Sequence, residues 1–140
     1  MDAPRIILAF GWAALMFLYL LGDVLRIFAG HYRPGRIEGQ PTQPWMWLVA
    51  AAFMLIPIAM MLLSLLLPAT VLLWTTLLAC VGLVVFNAIA LPYEGLYDNV
   101  LIVVGWVLNG SLAWQAWVGW RTDPGLRDRD GVRAPRGSGW

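Results

Sequence analysis

The sequence predicts an all-α integral membrane protein, a bundle of four transmembrane helices, and three observations carry that prediction. Of its 140 residues, 61% are hydrophobic and 12% charged, against roughly 45–50% and about 25% in an ordinary soluble domain. Four apolar windows, roughly 5–28, 45–67, 69–91 and 99–120, meet or approach the ~20 residues that a helix needs to cross a hydrocarbon core of ~30 Å. The polar residues are confined to two connections and a C-terminal stretch, whereas a soluble domain this small would spread them over its whole surface.

The first window is uncharged from residue 6 to 22 and runs on through Asp23 and Arg26 to Phe28 or Ala29. It is long for the apolar part of a secretory signal, so it is expected to be a retained helix. The second opens after Pro44 with Trp45 and Trp47, aromatic residues suited to the headgroup boundary, and closes at Pro68. Pro57 at its midpoint removes a backbone hydrogen bond and favours a kink, with a hydroxyl such as that of Ser64 to compensate. A straight helix through residues 45–91 would run to about 70 Å, more than a bilayer, so Leu67-Pro68 is read as a tight hairpin. The third helix ends before Pro92, and Asp98 or Asn99 is the expected N-cap of the fourth. Residues 121–140 form a separate polar tail rich in Arg, Asp, Gly and Pro, expected to be disordered unless a partner orders it.

Composition excludes several function classes. A net charge of +1 leaves no electrostatic footprint for nucleic acid. All nine basic residues are Arg, so no lysine is present for Schiff-base chemistry or phosphate gripping. Cys80 is the lone thiol and His31 the lone imidazole, which gives no ligand set for a metal or haem and no thiol pair for redox work. No Ser-His-Asp arrangement is evident, and the pattern names neither catalytic residues nor a cofactor.

Four passes put the end of helix 1, the first loop, the end of helix 3 and the third loop on one side, and the polar groups collect there. On helix 1, Trp12, Tyr19, Asp23 and Arg26 lie at i, i+7, i+11 and i+14, a stripe expected to face inward, with Asp23 and Arg26 close enough to pair. Asp23, Arg26, Asn87 and Glu94 are the candidate ligand-binding set at this bundle mouth. Within helix 4, Gly105, Asn109, Ala113 and Ala116 form a small-residue face suited to close helix packing. Trp106, Gly110 and Trp114, spaced by four, form a candidate surface for a partner protein or a pigment ring. Arginine counts near the membrane ends, Arg5 with Arg121 and the four that follow against Arg26, Arg33 and Arg36, place both termini in the cytoplasm.

The segments Leu18-Tyr19-Leu20-Leu21-Gly22-Asp23 and Pro34-Gly35-Arg36-Ile37-Glu38-Gly39, with Pro57 followed by Leu63-Ser64, together resemble an uncharacterised family of small bacterial four-helix membrane proteins, a domain of unknown function, over residues 5–121. The resemblance implies the four-helix topology, a bacterial inner-membrane location and no established activity. Read from the residues, the first loop is a turn at Pro34-Gly35 followed by a rigid irregular segment.

Two functional expectations stand. The first is a non-catalytic interaction or accessory subunit of a larger membrane complex, with lipid and other membrane proteins as partners. The second is a lipophilic small-molecule site for a lipid, quinone or pigment, or an enzyme acting on such a molecule, at the polar mouth. A transporter reading ranks below both, because Asn109 and hydroxyls are the only polar groups at mid-depth.

Overall fold

A computed structural model describes residues 3–31, 35–37, 40–89 and 95–122. It is an all-α bundle of four helices, each long and apolar enough to span a membrane: α1 (Ala3–Phe28), α2 (Pro44–Leu66), α3 (Ala69–Ile89) and α4 (Leu96–Arg121). In the first loop, β1 (Arg36–Ile37) and β2 (Gln40–Pro41) pair antiparallel, with Arg36 opposite Pro41 and Ile37 opposite Gln40. That ladder replaces the irregular segment expected there, because Gly35 at φ 78° turns the chain and its carbonyl accepts from Thr42 N–H at 3.0 Å.

Local chemistry sets the helix ends. α1 stops at Gly30, whose φ of 73° is a left-handed conformation that costs glycine nothing. Gly30 N–H donates to Ile27 O and His31 N–H to Arg26 O, which satisfies two carbonyls the helix would leave open. α2 begins on Pro44, where a missing N–H does no harm, and ends at Leu67 before Pro68. α4 starts three residues earlier than expected. Its N-cap is Gly95, and neither Asp98 nor Asn99 caps it.

The helices are arranged in the order α2, α1, α4, α3, with α1 packed extensively on both α2 and α4, and α4 on α3. α2 and α3 make little contact although only Leu67 and Pro68 separate them. Trp12, Leu15, Met60, Leu73, Leu83 and Leu112 make up the middle of the core. Lipid is as apolar as these side chains, so close packing and buried hydrogen bonds hold the helices together. The α1–α4 seam shows the packing: Gly105 lies against Leu18 and Tyr19, and Asn109 and Ala116 are buried beside it. Pro57 is buried without interrupting α2. Ser64 does not serve its freed carbonyl; the Ser64 hydroxyl donates instead to Met60 O at 2.6 Å, one turn back.

Candidate functional site at the bundle mouth

All four helices contribute to one cavity of about 100 Å3. α1 supplies Tyr19, Asp23 and Arg26, α2 supplies Phe53 and Met54, α3 supplies Phe86 and Asn87, and α4 supplies Asp98. The inward stripe on α1 is thus observed, since Trp12 is fully buried and the next three members reach the cavity. Three of the four expected site residues, Asp23, Arg26 and Asn87, share this wall. Glu94 lies outside the described residues, as do Arg33, Glu38, Tyr93 and the tail from 123 onward.

Arg26 is the electrostatic centre. Its Nε donates to Asp98 Oδ1 at 2.8 Å, while its Nη1 stands 3.5 Å from Asp23 Oδ1. The expected Asp23–Arg26 pair is therefore the looser of the two, and Asp98 is the principal partner. Asp98 is 3% exposed, whereas the Asp23 side chain keeps 48% of its surface. The short bond belongs to the carboxylate with no access to water, because an ion without water needs its partner most. Asp23, about half exposed, lines the cavity and is the carboxylate open to a ligand there.

Deeper in the bundle, the Tyr19 hydroxyl joins two amides. Asn87 Nδ2 donates to it at 3.1 Å and Asn109 Nδ2 at 3.5 Å. Each amide also donates to a carbonyl one turn back on its own helix, Leu83 O and Gly105 O, both at 2.8 Å. α1, α3 and α4 thereby share one hydrogen-bonded node beneath the charged layer. At the lip, His31 Nδ1 lies 2.9 Å from the Tyr97 hydroxyl, with the two rings stacked at 5.8 Å. Towards lipid, Phe53 of α2 and Phe86 of α3 stack with ring centroids 3.9 Å apart and close the cavity where those helices otherwise barely meet.

Sequence reasoning missed Tyr19, Asp98 and Asn109 as members of this site. Tyr19 stood in the α1 stripe, Asn109 was read as packing, and Asp98 was read as a cap on the polar side but left out of the ligand set. The available signal was that all three share a membrane side or an inward face with Asp23 and Asn87.

The second candidate surface is of another kind. Trp106 and Trp114 are 36% and 66% exposed, and Gly110 between them has open space where a side chain would be. None of the three lines the mouth cavity. Comparison with family models, curated proteins and solved structures gives no match.

Proposed function

We propose that this protein is a lipophile-binding integral membrane protein whose bundle mouth holds a compact polar head group. The observation that carries the reading is the placement of Asp23, beside a buried Arg26–Asp98 pair and above the Tyr19–Asn87–Asn109 node, on one cavity. Among the described residues, two carboxylates there face one guanidinium, an excess of acceptors that suits a ligand that donates a hydrogen bond, such as a lipid alcohol or a quinol. A cavity of about 100 Å3 is below the ~300 Å3 usual for a whole small-molecule site. It fits the head alone, and the apolar remainder lies in the surrounding lipid. No catalytic step is assigned.

The test is mass spectrometry of protein extracted gently from its membrane, reading small molecules and copurified chains together. A defined lipophile near one per chain, lost in the Asp23→Ala and Asn87→Leu variants, is the expected result. Only bulk lipid, unchanged by either substitution, would end the reading.

A second reading, an accessory subunit of a larger membrane complex, is favoured by Trp106. It sits about 15 Å along α4 from Leu96, deeper than an interfacial belt. Stoichiometric partner chains lost on Trp114→Ala would select it. The resemblance to small bacterial four-helix proteins and the arginine bias around Arg5 and Arg121 support placement in a bacterial inner membrane with both termini in the cytoplasm.

A further inference from the structure

At the end of the bundle opposite the mouth, a second cavity of about 290 Å3 opens between the start of α1, the start of α3 and the end of α4. It is larger than the mouth cavity and shares no residue with it. Arg5, Gln115, Trp120 and Thr122 supply its polar groups, and Leu8 and Leu72 its apolar floor.

The Thr122 hydroxyl donates to Val118 O at 3.0 Å, whereas three other polar groups in this wall lack partners among the described residues. Arg5 and Gln115 make no hydrogen bond or ion pair there. The Trp120 indole Nε1 is buried and also without an acceptor. Gln115 lies six residues before Arg121, about 9 Å deeper in the membrane than the helix end. An amide at that depth needs a partner from the cavity, because a buried hydrogen bond left unmade costs ~1–3 kcal/mol. A guanidinium at the rim with an amide donor below it calls for an occupant with acceptor oxygens at two levels. Among the described residues the lining carries one charged side chain, the guanidinium of Arg5, which selects an anionic head.

We infer that this cavity binds the head of an anionic glycerophospholipid, its phosphate on Arg5 and its ester carbonyls towards Gln115, with the acyl chains leaving over Leu8 and Leu72. The match is one of depth as well as charge, because ester carbonyls lie beneath the phosphate in a bilayer. The site stands independently of the mouth.

Native mass spectrometry of the full chain in mild detergent tests it, with phosphatidylglycerol, phosphatidylcholine and inorganic phosphate as separate probes. Phosphatidylglycerol is expected to bind at one per chain, more tightly than phosphatidylcholine. Arg5→Gln should weaken it about tenfold, the scale of a lost charge-assisted contact, and Gln115→Leu several-fold. Arg121→Gln should change nothing, since the Arg121 guanidinium sits over the Trp117 ring, 4.7 Å from its centroid, and does not line the cavity. Equal losses for Arg5→Gln and Arg121→Gln would overturn the site in favour of diffuse charge attraction. Inorganic phosphate binding as tightly as the lipid would make it a free-anion site. Loss of lipid on removing residues 123–140 would assign the lipid to the tail. Circular dichroism showing equal helix content across the variants separates each result from misfolding.

Discussion

Arg26 and Asp98, 72 residues apart in sequence, meet at 2.8 Å with the carboxylate almost wholly enclosed, so the first and last helices are locked by one charged hydrogen bond. Asp23 on the same guanidinium at 3.5 Å is a second, weaker hold. Arg26 keeps 27% of its side-chain surface, and the bond is accordingly less costly to break than a fully buried one.

Asp98→Ala should lower stability by about 2–3 kcal/mol, below the ~3–5 kcal/mol of a fully buried pair, because Asp23 retains Arg26. Unfolding in mixed detergent, followed by circular dichroism, measures this. A double-mutant cycle with Arg26→Gln should return a coupling of at least ~1 kcal/mol. A coupling near zero would mean that the two groups do not interact in the folded protein.

Tyr19→Phe removes the hydroxyl shared by Asn87 and Asn109 and leaves each amide its bond to a carbonyl on its own helix. The expected cost is about 1 kcal/mol, typical of interhelical hydrogen bonds in membranes. Asn87→Ala in the Tyr19→Phe background should then add less than it does alone. Full additivity in thermal melts would separate the two residues.

Gly11→Ala and Gly110→Ala should diverge. A methyl on Gly11 would come within 2.6 Å of Leu112 Cδ2, whereas one on Gly110 meets nothing. The first should destabilise by about 1 kcal/mol through overpacking. The second should be neutral or stabilising by up to ~1 kcal/mol, because alanine is the better helix former. Tm values for the two variants should fall on opposite sides of the parent or differ clearly in size.

Pro4 and Gly119 place α1's start beside α4's end, with 3.7 Å between Pro4 Cβ and the position a Gly119 Cβ would take. That spacing suits a disulfide. With Cys80 replaced by serine, the Pro4→Cys/Gly119→Cys protein should cross-link on mild oxidation and migrate faster on a denaturing gel. Failure to cross-link would argue against the antiparallel α1–α4 pairing.

Much of the bundle was legible because bilayer thickness imposes a length that apolar windows must match, and the four spans fall within three residues of their expected ends. Parity also sufficed to gather Asp23, Arg26 and Asn87 on one side. Partner choice was less legible. Asp98 has the local signature of an N-cap, but a cap is worth ~1 kcal/mol, and the part-buried guanidinium opposite an enclosed carboxylate outweighs it. Gly95 caps the helix, freeing Asp98 for Arg26. Ser64 was paired with Pro57 by proximity in sequence, yet its hydroxyl reaches Met60 O more directly. Tyr19 bridges two helices that lie 68 and 90 residues away, a relation no local pattern contains.

Because α1 and α4 form the spine and α2 and α3 flank it, the bundle joins the helix made earliest of the four to the one made latest. Arg26 enters the membrane early and waits, its stronger counter-ion still unsynthesised, while two apolar spans follow it. During that interval Asp23, three residues away on the same helix, is already beside the guanidinium. The loosely held 3.5 Å contact, modest in the finished protein, is therefore the one that matters during birth, and a chain cut short before Asp98 would be a target for membrane quality control even though three intact spans had already been laid down.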